Sequence, residues 1–331
     1  MDLWLDAVLI VFFALLIDYV IGEVPNAIHP LRWMGLLLGF LDRHIPRGRP
    51  FLTKFLGFVS YIIVFVVFGG IAILVCAAVH RYLGEWPWII VTALLFKITF
   101  AIFSFRRHVI PIKKDLENGD IESAASKVQM IVSRNTKGMD AEHIASSCTE
   151  TISENYVDSI VSPVTYFGFL GILGAYMFRC ANLMDAMWGY RNEKYGDLGF
   201  FPAKFDDVLG YVTSRISPLF IAIGAFLMRM NWRKAIPAAL KEHGKTPSPN
   251  SGWPMTAFAA ALDISMEKKD VYVMGEGPLP TPKDITRCYH LLELSSIIFL
   301  ALVTVPLYAF LGIHVQIYVE GLFSGLFGLI Q

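Results

Sequence analysis

Residues 182 to 207 read NLMDAMWGYRNEKYGDLGFFPAKFDD and concentrate amide, carboxylate, guanidinium and aromatic groups between two apolar stretches. Polar groups beside hydrocarbon are expensive to keep, so chemistry is expected here first. Asn182, Asp185 and Gly189 fall at i, i+3 and i+7, on one face of a helix leading into Tyr190-Arg191-Asn192-Glu193. A second concentration runs through His143, Ser147, Glu150, Glu154 and Asp158, spaced four, three, four and four apart, opposite Ile144, Cys148 and Ile152. At His143 and Ser147 the stripe reads as a solvated face. At Glu154 and Asp158 it runs into an apolar segment, where carboxylates need a cation or a metal.

The elements that position these groups are set by lipid. Of 331 residues, 55% are hydrophobic and 17% charged, against about 25% charged in soluble domains. Apolar runs at about 3–21, 55–79, 88–105, 160–181, 208–228, 291–311 and 313–330 approach the ~20 residues a span requires. The expected fold is therefore all-α: one polytopic membrane domain over 1–331, with a helical insertion at 106–159 and a loop region at 229–290. The first run does not read as a cleaved signal, because Asp2 replaces a basic n-region and the stretch carries Asp6 and Asp18 without an evident small-residue cleavage site. Lys and Arg cluster on 22–54, 106–159 and 229–290, which puts these segments on the cytoplasmic side of the cell membrane. The runs flanking 182–207 either both span, putting that loop outside, or both dip in and return; Gly168, Gly171 and Gly174 in the first, with Arg215 and Pro218 in the second, favour broken or re-entrant segments lining a cavity.

Outside the spans, Asp120 and Asp140 are placed to cap two helices, with Ser133-Arg134-Asn135-Thr136 ending the first. A net charge of zero and the absence of a basic stripe exclude a nucleic-acid partner. Cys76, Cys148, Cys180 and Cys288 are scattered without a C-x-x-C and read as buried thiols. Gly244-Lys245-Thr246 is not a Walker A loop, since Ala239 occupies the required glycine position. The segment 244–254 reads as an ordered turn whose Trp253 can stack on a planar ligand. Gly321 and Gly325 read as a helix-packing face.

Five blocks in order carry a resemblance: His29-Pro30-x-Arg32-Trp33-Met34-Gly35, Ser133-Arg134-Asn135-Thr136, Ser153-Glu154-Asn155, Asn182-x-x-Asp185-x-Met187-x-Gly189-Tyr190-Arg191-Asn192, and Ser248-Pro249-Asn250-Ser251-Gly252-Trp253-Pro254. Together they resemble the signature of the CobD/CbiB family of cobalamin biosynthesis, the adenosylcobinamide-phosphate synthases. The chain departs from the family pattern at Asn135, where an Asp is usual, and at Tyr156 and Ser159, where Thr and Gly are usual.

The resemblance implies an ATP-dependent amide synthesis between a propionate carboxylate of adenosylcobyric acid and the amine of (R)-1-aminopropan-2-ol O-phosphate. A carboxylate is a poor electrophile, so an acyl phosphate with Mg²⁺ spreading the charge is the economical route. On that reading Glu154, Asp158 and Asp185 are the expected metal ligands, since Mg²⁺ takes few carboxylates plus phosphate oxygens and water. Arg191, Arg134 and Arg32 suit bidentate recognition of phosphate or carboxylate. Asn155, Asn182, Asn192 and Asn250, with Thr136 and Tyr190, are expected to line the substrate. Asp206 and Asp207 read as ligand, base or helix cap, and His29 as stacking, hydrogen-bonding, proton-shuttling or packing. The implied partners are the corrinoid, the amino-alcohol phosphate and the lipid bilayer, and a homo-oligomer is compatible with the sequence. The rival reading is a transporter or binding protein for an amphipathic solute, suggested by Arg215 and Lys97 in apolar runs, though no two-fold repeat is present.

Overall fold

The computed structural model describes residues 2–25, 27 and 29–329. In chain order the helices are α1 Leu3–Val20, α2 Pro30–His44, α3 Pro50–Leu83, α4 Glu85–Lys97, α5 Arg106–Glu117, α6 Ile121–Gln129, α7 Ala141–Tyr156, α8 Ser162–Leu170, α9 Ile172–Trp188, α10 Phe200–Leu227, α11 Trp232–Glu242, α12 Gly252–Leu262, α13 Pro282–Phe299, α14 Val305–Leu307 and α15 Ile313–Leu329. Three π-helical segments, Val157–Val161, Leu300–Thr304 and Tyr308–Gly312, carry the chain between α7 and α8 and from α13 through to α15. An antiparallel hairpin, β1 Met266–Lys268 with β2 Tyr272–Met274, pairs Lys268 with Tyr272 next to the turn. The protein is an all-α polytopic membrane protein. Among the described residues, Leu3–Val20, Pro50–Leu83, Phe200–Leu227 and Pro282–Phe323 are helical runs long and apolar enough to cross a bilayer.

Not every apolar run becomes a span. The run at 88–105 yields α4, whose 13 residues fall short of the ~20 needed. It ends where Lys97 is buried against Asp18 at 3.2 Å and Glu23 at 3.8 Å. The run at 160–181 breaks at Gly171, whose φ of +61° is left-handed and costly for any residue with a side chain. The chain doubles back so closely that a Cβ on Gly174 would stand 1.9 Å from the Tyr166 carbonyl oxygen. The amide of Ile172 then donates to Gln316 Oε1 at 3.1 Å, anchoring the tip.

The expected break at 208–228 does not occur, for α10 runs unbroken through Pro218. Proline removes the N–H that would reach the Ser214 carbonyl, and Ser217 Oγ donates to that carbonyl at 2.7 Å instead. The last two runs join into one helical course through 323, while residue 330 of the second lies outside the described residues. Among the described residues no atom would lie within 4 Å of a Cβ on Gly321 or Gly325, so this stripe packs closely against none of them.

Two compact units form. Unit 1 comprises Met1–Ala101, Ser162–Leu209 and Leu300–Gln331, and unit 2 comprises Ile102–Val161 and Gly210–Phe299. In unit 1, α1 lies along α4, and α9 packs on α2 and α3. In unit 2, α7 is surrounded by α6, α12, α13 and the hairpin. The caps expected there are present: Asp120 accepts from the Ser123 amide at 3.0 Å and Asp140 from the His143 amide at 2.9 Å. The face expected to be solvated at Ser147 is buried, because the hairpin covers this side of α7; Ser146 Oγ accepts from the Glu267 amide at 2.7 Å. All four cysteines are free and buried, as expected.

Candidate active site

Three of the sequence blocks meet in unit 2. A cavity of about 360 Å³ is lined by Ser133 and Arg134 from the first, Glu154 from the second, and Ser248 and Ser251 from the third, with Glu150, Lys268 and Tyr272 completing the wall. Arg134 is presented by a loop that Gln129 holds. The Gln129 side chain donates to the Arg134 carbonyl at 2.8 Å and accepts from the Thr136 amide at 3.0 Å. Thr136 Oγ1 adds a bond to the Ala125 carbonyl at 2.8 Å, so this buried threonine ties the loop to α6.

The Arg134 guanidinium pairs with Glu150 Oε1. Glu150 is 5% exposed, and its other oxygen, Oε2, is buried with no hydrogen-bond partner. Burial pushes its carboxyl up to about 7; Arg134 pulls it down and Glu154 raises it further. Both polar ends of Asn155 are engaged within the helical course, donating to the Thr151 carbonyl at 2.9 Å and accepting from Ser159 Oγ at 2.6 Å. Asp158 sits in the π-helical segment Val157–Val161, a widened turn of the kind frequent at functional sites.

Asn250 is buried against α10 rather than lining the cavity. Its Oδ1 accepts from Ser214 Oγ and Arg215 Nη1, both at 3.3 Å. Arg215 in turn lies over the Tyr211 ring at 3.4 Å and the Trp253 ring at 5.2 Å. Trp253 also stacks on His243 with centroids 4.0 Å apart. The ring expected to receive a planar ligand is thus engaged by neighbours in its own unit.

The other two blocks lie in unit 1. Gly35 of α2 faces Met187 of α9, with 3.8 Å between a Cβ there and the sulfur. His29 caps α2, its Nδ1 accepting from the Leu31 amide at 3.2 Å while Nε2 meets Glu23 at 3.2 Å. Arg32, Tyr190, Arg191 and Asn192 are exposed. Asn192 Oδ1 shapes its own turn, accepting from the amides of Lys194 at 3.1 Å and Tyr195 at 2.9 Å.

Asp185, Asp206 and Asp207 gather beside the end of α9. Burial pushes the Asp185 carboxyl up to about 6, with Asp207 adding to the rise. Arg179 Nη1 donates to Asn182 Oδ1 at 2.9 Å, and the Asn182 amide donates to Asp206. Asp206 Oδ1 itself is buried without a hydrogen-bond partner. Asp207 meets Lys204 at 3.2 Å. The three expected metal ligands therefore fall in different units, Asp185 in unit 1 and Glu154 and Asp158 in unit 2. Among the described residues no cluster of three or more His, Cys, Asp or Glu has metal-binding geometry.

Sequence reading passed over Arg179, Lys268 and Tyr272 and gave Asp206 no precedence over Asp207. An arginine inside the run 160–181 was a usable signal, since charge in an apolar run is seldom idle. The hairpin residues carry no motif.

The family model described as "CobD/Cbib protein" matches residues 11–292. The chain belongs to this family. Curated CobD/Cbib relatives include the "Probable cobalamin biosynthesis protein CobD" of Methanococcus aeolicus, 37% identical over 283 residues, covering 83% of this chain and 89% of that one. The protein of the same name from Methanocaldococcus jannaschii is 35% identical over 304 residues, covering 89% and 97%. The "Cobalamin biosynthesis protein CobD" of Dehalococcoides mccartyi is 33% identical over 284 residues, covering 86% and 92%. No solved structure matches the chain.

Proposed function

We propose that this membrane protein of cobalamin biosynthesis is an ATP-dependent acid–amine ligase of the cytoplasmic membrane, joining adenosylcobyric acid to (R)-1-aminopropan-2-ol O-phosphate to give adenosylcobinamide phosphate. The observation that carries the reading is the meeting of three family blocks in one polar cavity, where Arg134 is held in place and paired with the buried Glu150. Such a cavity suits a small, charged substrate. The transporter reading is not favoured, because the curated relatives named above are cobalamin biosynthesis proteins.

Amide formation needs an activated carboxyl. A carboxylate oxygen of the corrinoid attacks the γ-phosphorus of ATP, the bond to ADP breaks, and an acyl phosphate results. The amine nitrogen, having lost one proton from its ammonium, attacks the acyl carbon; inorganic phosphate leaves and the nitrogen gives up a second proton. Arginine forks hold phosphate oxygens in fixed orientation through such steps, which is the role assigned to Arg134 and Arg191.

Mg²⁺ fits the carboxylates of unit 1. Asp206 Oδ1 is a hard oxygen, buried without a hydrogen-bond partner among the described residues and close enough to the Asp185 carboxylate for the two to repel, and Mg²⁺ needs few protein ligands beyond phosphate and water. When bound it supplies positive charge to phosphoryl oxygens. Asp185 and Asp206 would hold it, Asn182 orienting Asp206 and Arg179 orienting Asn182. The test uses purified full-length protein in lipid nanodiscs. ADP should form only when ATP, the corrinoid acid and the amino-alcohol phosphate are all present, with adenosylcobinamide phosphate in equal amount. ADP release without the amine, or no product with all three, would overturn the reading.

A further inference from the structure

The cavity of unit 2 brings together charges of both signs: Arg134 and Lys268 as cations, Glu150 and Glu154 as carboxylates. At about 360 Å³ it is too small for a corrinoid. A nucleoside triphosphate would bring its whole negative charge against both carboxylates. A small molecule carrying both a phosphate and an ammonium meets a partner of opposite sign for each group on this lining.

Glu150 supplies the decisive detail. One oxygen is taken by Arg134, while Oε2 is buried with no donor within 3.5 Å among the described residues, in a residue that is 5% exposed and has the Tyr272 hydroxyl as its other polar neighbour. A buried acceptor left unsatisfied is costly, and an ammonium is a donor of the right charge to satisfy it. Lys268 is carried by the hairpin, which Ser146 fastens to α7 through both backbone groups of Glu267. That attachment sets the cation on the same wall as Arg134.

We propose that this cavity is the subsite for the amino-alcohol phosphate, with Arg134 and Lys268 holding the phosphate and Glu150 Oε2 accepting from the ammonium. The assignment rests on the ligase reading above and names which of its substrates this site takes. Glu154 adds negative charge beside the ammonium, and Tyr272, next to Glu150 on the hairpin, closes that end. Glu150, which the sequence places on the polar stripe without a role, and Lys268, which no motif marks, thereby become substrate-binding residues.

The experiment is equilibrium binding to the full-length protein in nanodiscs, without ATP or corrinoid, using (R)-1-aminopropan-2-ol O-phosphate and isopropyl phosphate, which lacks the amine. Wild type should prefer the amine-bearing ligand by at least ~10-fold, the equivalent of one charge-assisted hydrogen bond. Glu150→Gln should remove that preference, with the two ligands then binding alike. Lys268→Gln, on the hairpin and outside the Arg134–Glu150 pair, should weaken both ligands by a similar factor and keep the preference. A preference that survives Glu150→Gln, or affinities unmoved by Lys268→Gln, would overturn the subsite, as would wild type that binds neither phosphate. If Glu150→Gln does not fold, Lys268→Gln and the wild-type preference still decide. Should binding behave as stated while no ATP-dependent product forms, the subsite stands and the ligase reading fails.

Discussion

Beside the end of α9 in unit 1 three carboxylates meet one another; at the cavity of unit 2 the buried carboxylate meets a cation. Asp185, Asp206 and Asp207 share one neighbourhood, and Arg179 is linked to it through Asn182. In unit 2 the buried Glu150 pairs directly with Arg134, and Lys268 stands on the same cavity wall. Like charges crowded together raise the free energy of the ionised form and wait for an incoming cation. Opposite charges paired in place offset part of each other's burial cost, so that removing one leaves the other uncompensated. On the proposed reading the first arrangement suits a ligand that supplies positive charge, and the second suits one that carries both signs.

The largest effects should separate these two logics. Asp185→Asn and Asp206→Asn are each expected to lower turnover at least ~100-fold with little change in thermal stability, because removing one of several repelling carboxylates relieves the folded state while it weakens a phosphoryl-transfer site. Asp158→Asn is expected to lose turnover to a similar degree. Omitting Mg²⁺ should abolish ADP formation. Near-normal turnover in both Asp185→Asn and Asp206→Asn, measured at saturating Mg²⁺, would remove unit 1 from the chemistry.

The paired region should respond in stability as well as turnover. Arg134→Ala leaves a buried carboxylate alone, and breaking such a pair costs about 3–5 kcal/mol. The double variant Arg134→Ala/Glu150→Gln should recover a large part of that loss, which a thermal-unfolding cycle in detergent measures. Additive losses would mean that the pair is not coupled.

The pH dependence follows from Glu150, whose carboxyl moves up from 4.5 to about 7. A raised carboxyl means that the folded state holds the proton more tightly than the unfolded state. Its contribution to stability is fully present below about 4.5 and is lost as the pH rises through 7. The unfolding temperature of wild type should therefore fall between pH 5 and pH 8 more than that of Glu150→Gln. Parallel curves for the two proteins would put the pH response elsewhere.

How much of this was legible beforehand depends on the range of the interaction. Caps act within one turn, so Asp120 and Asp140 were readable from neighbours three residues away. The break at Gly171 was also readable, because glycines spaced three apart in an apolar run announce close approach. The continuity of α10 was not: it depends on Ser217 Oγ replacing the donor lost at Pro218, a rotamer choice that the sequence does not display. Nor was the burial of Ser147, which a hairpin more than a hundred residues later in the chain imposes. At the candidate site, Arg134 and Glu154 stood in recognisable blocks, whereas Lys268 and Tyr272 reach the same cavity through tertiary packing alone.

The smallest expected effect concerns Arg191, which tests where the comparison stops. It is exposed in the turn after α9, with Asn192 fixing the backbone through the Lys194 and Tyr195 amides. An exposed guanidinium is not held for stability, so Arg191→Lys should leave the unfolding temperature unchanged. Lysine keeps the charge and loses the planar fork. A bidentate contact to phosphate then predicts a ~10-fold rise in the apparent KM for one phosphate-bearing substrate, whereas a Coulombic role predicts almost none. Steady-state kinetics with ATP and the amino-alcohol phosphate varied in turn distinguish them. A rise for ATP would give unit 1 a cation of its own for phosphate and narrow the contrast with unit 2; unchanged constants for both substrates would rule the phosphate role out and leave the carboxylates of unit 1 to act through a bound cation.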